Sequence, residues 1–180
     1  MRTVLLISLL FTTEFVLSQP SNVPEKIDYT KFTTSQRQAF YPFNKASRLK
    51  LVSFRQLAPE WGLPILNDTI CMSRLEQIIE LTSTQTDTLT DILHNTCSRW
   101  TITETTTMGC YFPRNAILFF DTTGSAFAYI EICFECHGIK NSNAEIVNPD
   151  ACDLMYHDLQ SFFSRLGLKT SASELIKKVN

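Results

Sequence analysis

The sequence predicts an α+β domain: an antiparallel sheet with a central β-hairpin, packed by two to three helices. Three observations lead there. The run AILFFDTTGSAFAYIEICFEC carries two apolar, β-rich stretches, residues 115–121 and 126–135, on either side of the short glycine-containing loop Asp121-Thr122-Thr123-Gly124-Ser125. In TSTQTDTLTDILHN, Thr82 and Gln85 are spaced as a capping box, and Leu89, Ile92 and Leu93 follow on one helical face, giving a helix over 83–94. CDLMYHDLQSFFSRLGL has helical periodicity, with Leu154, His157 or Asp158, Phe162 and Leu166 along one side and Leu159 and Phe163 beside them; Gly167 stands where a helix cap favours a left-handed residue.

The remaining elements fall into order around these. Residues 1–18 read as a secretory signal, with Arg2, an apolar run from Val4 to Phe11 and the small Ser18 at a cleavage position. Thr12, Thr13 and Glu14 break that run well short of the ~20 apolar residues that span a bilayer. Residues 19–47 form a loosely ordered N-terminal segment with three prolines, whose aromatic cluster Phe40, Tyr41 and Phe43 docks on the body. A single α+β domain occupies 48–180. RLKLVSF (48–54) reads as its first strand and GLPILNDT (62–69) as a turn and connector carrying the glycosylation sequon Asn67-Asp68-Thr69. ICMSRLEQIIEL (70–81) fits either a helix or a strand. WTITETTT (100–107) has the β-branched content of a strand, and Ser171 with Glu174 opens a short tail helix. Both hairpin strands are apolar on both faces, so the sheet should be covered on both sides.

A net charge of −2 offers none of the basic face that phosphate neutralisation requires, so nucleic acid is not an expected partner. No second long apolar run follows the signal, so no membrane span is expected in the mature chain. An exported chain with six cysteines, Cys71, Cys97, Cys110, Cys133, Cys136 and Cys152, points to disulfides and a secreted or periplasmic location. If Asp121 faces Ser125 across the loop, the hairpin register sets Cys110 opposite Cys136, and a one-residue slip brings Cys133 close instead. Cys152, at the start of the last helix, reaches the same corner.

Four readings of that corner stay open. Two structural bridges would join Cys110 to one member of the doublet and Cys152 to the other. Four thiolates would hold zinc. A reactive C-x-x-C would exchange disulfides, although no helix start lies behind it to acidify a thiol. Cys133-Phe134-Glu135-Cys136-His137 also matches the C-x-x-C-H signature of c-type haem attachment, with Met155 or Met108 as a second axial ligand. Cys71 and Cys97 flank the 83–94 helix and either bridge each other or remain buried thiols. His94 closes a helix, where a cation favours the terminal carbonyls, and His157 belongs to packing or surface. Glu131 and Glu135 read as a solvent-facing pair on one strand face. Neither G-x-S-x-G nor H-E-x-x-H occurs, so the inventory points away from catalysis, and neither a cofactor nor a metal is expected.

Cys110-Tyr111-Phe112-Pro113-Arg114-Asn115-Ala116-Ile117 followed by Tyr129-Ile130-Glu131-Ile132-Cys133-Phe134-Glu135-Cys136 resembles a group of small exported bacterial proteins of unknown function. The resemblance extends to Leu89–Leu93, Cys152, Phe162-Phe163 and Gly167, about half the chain. It implies that the cysteines at 110, 133, 136 and 152 belong to the group pattern and His137 does not, which weakens the haem reading, and it carries no activity. Pro113 suits a strand start or bulge. Arg114 pairs with Glu131 or Glu135 across the hairpin, or the three line a ligand groove. The expectation is an exported, disulfide-braced binding protein acting on another protein or a cell-envelope component. The alternatives are a redox or electron-transfer protein built on CFECH, and a hydrolase.

Overall fold

The computed structural model describes residues 31–56, 61–99, 109–147 and 151–171. The expected signal, residues 19–30, the strand expected over 100–107 and the expected tail helix therefore lie outside the described residues. Chain order is α1 (Thr34–Ala39), β1 (Arg48–Phe54), β2 (Ile65–Leu66), β3 (Thr69–Ile70), β4 (Leu75–Glu80), α2 (Ser83–Asn95), β5 (Asn115–Phe120), β6 (Ala126–Cys133), β7 (Gly138–Asn141) and α3 (Asp153–Arg165). Five strands form one antiparallel sheet in the order β4-β1-β5-β6-β7, and β2-β3 is a separate two-stranded ribbon. This is the α+β architecture expected, with the β5–β6 hairpin at its centre.

Local chemistry explains the elements. Thr82 and Gln85 form the capping box that starts α2, and its buried residues include Leu89, Ile92 and Leu93. Within the ambiguous run 70–81, Met72–Arg74 make a single 3-10 turn and residues 75–80 a strand, because Leu75, Gln77 and Ile79 alternate with the exposed Glu76, Ile78 and Glu80 along a sheet edge. Asn67 and Asp68 take left-handed φ values of 48° and 58° and turn the connector into the β2–β3 ribbon. In α3 the buried face is Met155, Tyr156, Leu159, Phe162 and Phe163, while Leu154 and His157 face out; the stripe is rotated by about one residue from the one expected. Gly167, at φ 88°, ends the helix as the sequence predicts, with the Leu168 amide donating to the Phe163 carbonyl at 3.1 Å.

Every residue of β5 is buried, because the sheet is covered on both faces. One face carries Leu49, Leu51, Ile117, Phe119, Ile130 and Ile132 against α2 and α3. The other carries Val52, Phe54, Ala116, Leu118 and Phe120, packed with Leu75 of β4 and covered by Leu63, Ile65 and Ile70 of the connector region. The expectation of a loose segment does not extend to residues 31–47. There Phe43 packs edge-to-face on Phe119 at 5.1 Å, and the buried Arg37 of α1 bonds Asp87, Thr90 and Asp91 of α2. The docking of Phe40, Tyr41 and Phe43 is seen: Phe40 lies 4.9 Å from the His94 ring and Tyr41 6.1 Å from Phe127.

Among the described residues no helix is long and apolar enough to cross a membrane.

Candidate functional site

Two disulfides are present. Cys110 bonds Cys136 across a Cα separation of 5.7 Å, and Cys97 bonds Cys152 across 5.8 Å. Cys110 thus joins the doublet as expected, by a different route. The hairpin is bulged at Phe119/Phe120, with the extra residue in β6, so the ladder runs Asn115↔Ile132. Extrapolated, that register sets Cys110 against His137, one position past Cys136. The ladder ends at Asn115, however, and residues 109–114 leave the sheet to meet the turn. Two expectations need correction. Cys152 pairs with Cys97 rather than with the doublet, because α2 and α3 pack together and bring the end of one helix to the start of the other. Cys71 and Cys97 consequently do not bridge; Cys71 is a half-buried thiol 3.5 Å from the Ser73 hydroxyl.

Glu131 also departs from expectation. It is 4 % exposed rather than solvent-facing. Side chains alternate across a strand, so Glu131 lies on the face opposite Ile130 and Ile132, and residues 61–63 cover that face. Its Oε1 accepts the Leu63 amide at 2.5 Å and its Oε2 the Tyr111 hydroxyl at 3.3 Å. Gly62 (φ 134°) is required for this approach, since a Cβ there would sit 2.9 Å from Oε1. Burial, with Glu131 adding to it, pushes the Tyr111 hydroxyl far above the usual phenol range, and the same two causes raise Tyr129.

The 109–114 segment is held at several further points. The Tyr111 ring lies so close to Gly138 that a Cβ there would come within 3.0 Å of it. The Pro113 carbonyl accepts from Gln56, whose own oxygen takes the Gly62 amide at 2.9 Å, and the Phe54 amide donates to the Arg114 carbonyl at 2.9 Å. Arg114 donates to Glu135 at 2.7 Å, so of the two expected pairings this is the one made. Glu131 and Glu135 therefore have separate roles, one buried and bonded, the other at the surface in an ion pair.

On top of this braced corner, Trp61 and Phe112 meet edge-to-face at 5.3 Å, 60 % and 41 % exposed. Neither was singled out from the sequence. The available signal was an aromatic residue beside a turn-forming one in two irregular segments, Trp61-Gly62 and Phe112-Pro113.

Below them, Cys133 is a fully buried thiol. Burial raises its pKa, against amide hydrogen bonds from Phe112 and Cys136. His137, at φ 48°, contacts Asp153 through Nδ1 at 2.8 Å and stacks on Tyr156 at 5.0 Å. Burial pushes Tyr156 up to about 12, with Cys133 and Asp153 adding to it. Haem attachment through CFECH needs two free thiols to form thioethers; here the Cys136 sulfur is bonded to Cys110. A four-thiolate zinc site meets the same obstacle, and no group of three or more metal-binding side chains occurs among the described residues.

His94 is not a capping cation: burial, and secondarily Arg37, lower its pKa to about 4, and it packs against Phe40 and Phe43. His157 is at the surface beside Asp158 at 3.6 Å. A groove of about 550 Å³ between α1 and α2 is lined by Lys31, Arg37, Asp87 and Asp91, whose charges neutralise one another.

Compared with protein-family models, with curated proteins and with solved structures, the chain matches none.

Proposed function

We propose that this chain is an exported, disulfide-braced binding protein whose recognition surface is the corner carrying Trp61 and Phe112. The observation that carries the reading is that pair of exposed rings in mutual contact, Phe112 on a segment held at Tyr111, Pro113 and Arg114, and Trp61 beside the bonded Gly62 and Leu63 amides. Large aromatic side chains supply much contact area for little conformational entropy and are enriched where proteins meet partners. Here the rings are already in mutual contact, so less ordering remains to be done on binding. The Arg114–Glu135 pair gives the surface a polar rim. The partner class is another protein or a cell-envelope component, and the location secreted or periplasmic. The signal-like N-terminus and the two bridges support that location, since disulfides persist in oxidising compartments.

The test is retention of the purified protein on an envelope fraction of the source cells, comparing wild type with Trp61→Ala and Phe112→Ala. Both residues are exposed, so both variants should keep the wild-type far-ultraviolet spectrum and melting temperature. Loss of a central aromatic anchor costs about 2 kcal/mol or more, roughly thirtyfold in affinity. Unchanged retention by both folded variants would remove this surface from consideration.

A further inference from the structure

Six cysteines and two bridges leave two thiols, and one of them, Cys133, shares a turn with a bridged sulfur. Cys133 ends β6 and pairs with Gly138, so residues 134–137 form a closed turn. Residues three apart in such a turn have Cα atoms within about 7 Å, close to the reach of a disulfide. The Cys133 sulfur accepts amide hydrogen bonds from both Phe112 and Cys136. It therefore lies between the two pieces of chain that the Cys110–Cys136 bridge joins.

We infer that Cys133, Cys136 and Cys110 form a thiol–disulfide exchange site that regulates the Trp61–Phe112 surface. The Cys133 sulfur attacks the Cys136 sulfur, a Cys133–Cys136 bond forms, and the Cys110–Cys136 bond breaks. The proton lost by Cys133 is balanced by the one gained by Cys110 through solvent, so no oxidant or reductant is consumed. Attack of a thiolate on a neighbouring disulfide is the ordinary route by which bridges move.

The consequence for the surface rests on the binding reading above. Cys110 is two residues from Phe112, and its bridge is the covalent anchor of the segment. After exchange, the segment keeps only non-covalent ties, among them the Tyr111–Glu131, Gln56–Pro113 and Phe54–Arg114 hydrogen bonds and the Arg114–Glu135 ion pair. Phe112 is then less firmly set against Trp61, and a thiol appears at the half-exposed Cys110. In the resting protein burial keeps Cys133 protonated, so exchange waits for base or for local opening. The charged and titratable groups around that thiol are Glu135, Arg114, Tyr111 and Tyr156.

The experiment follows the label. Native protein is incubated in mildly alkaline buffer without added thiol, quenched with acid, unfolded, alkylated with N-ethylmaleimide and mapped by peptide mass spectrometry. The wild type should show label accumulating on Cys110 at the expense of Cys133, and Cys133→Ser should lose all Cys110 label. Label confined to Cys71 and Cys133 at every time point overturns the proposal, as does Cys110 label persisting in Cys133→Ser. Should Cys133→Ser fold poorly, Cys110→Ser refolded in air provides the second test. It should form Cys133–Cys136 and expose only Cys71, whereas label on both members of the doublet contradicts exchange. No partner is involved in this mapping, so its failure leaves the binding reading standing. Failure of the aromatic variants to reduce retention would leave the label pattern untouched.

Discussion

Replacing Glu131 with alanine removes the acceptor for two donors inside the protein, the Leu63 amide at 2.5 Å and the Tyr111 hydroxyl at 3.3 Å. A hydrogen bond to a charged group contributes about 1.5–3 kcal/mol net, and an orphaned buried donor costs about 1–3 kcal/mol. The short amide bond is worth about 2 kcal/mol and the longer hydroxyl bond about 1 kcal/mol, giving a loss of about 3 kcal/mol. With a urea m-value of about 2 kcal/mol/M, the midpoint falls by about 1.5 M. Urea denaturation followed by far-ultraviolet circular dichroism measures it directly. Tyr111→Phe should cost only about 1 kcal/mol. Combined with Glu131→Ala it should cost less than the sum of the two, because the orphaned hydroxyl is then gone. A Glu131→Ala variant within about 0.5 kcal/mol of wild type would be the behaviour of a surface carboxylate. That result would refute the burial of this side chain beneath the connector.

Three further outcomes follow. Gly62→Ala should cost about 1–3 kcal/mol through its positive φ and the contact with Glu131, and about half as much in a Glu131→Ala background, where only backbone strain remains; paired urea curves separate the two. Loop-closure entropy makes the Cys97–Cys152 bridge, whose ends are 55 positions apart in sequence, worth about 4 kcal/mol, and the Cys110–Cys136 bridge, 26 apart, about 3.5 kcal/mol. Cys97→Ala should therefore melt somewhat lower than Cys136→Ala by calorimetry. His94 has its folded pKa lowered from 6.5 to about 4. The unfolded chain therefore binds the proton more tightly, and stability falls as pH drops from about 6.5 towards 4, by about 3 kcal/mol in all. His94→Phe should flatten that part of the pH–stability curve, and NMR titration should find His94 still neutral well below pH 6.5.

Most of the fold was legible because it is written locally. The Thr82–Gln85 box, the glycine at 167 and the β5–β6 loop each specify structure within a few residues. The apolar content of both strand faces also announced a sheet covered on both sides. What was not legible depends on residues far apart in sequence. Glu131 on an alternating strand looks solvent-facing until residues 61–63 are known to lie over it. Arg37, in a proline-bearing polar stretch, gives no sign that Asp87 and Asp91 await it fifty or more residues on. The register reasoning reached the correct partner for Cys110 through a ladder that stops before reaching it. Cys97 and Cys152 could not be paired from spacing, since their proximity follows from how α2 and α3 pack.

The sulfur connectivity of the freshly purified protein, kept acidic throughout digestion, tests the central claim most directly. Peptide mapping should find Cys110 joined to Cys136 and Cys97 to Cys152, with Cys71 and Cys133 as thiols. A map joining Cys152 to the doublet, or Cys71 to Cys97, would contradict the braced corner on which the Trp61–Phe112 surface depends.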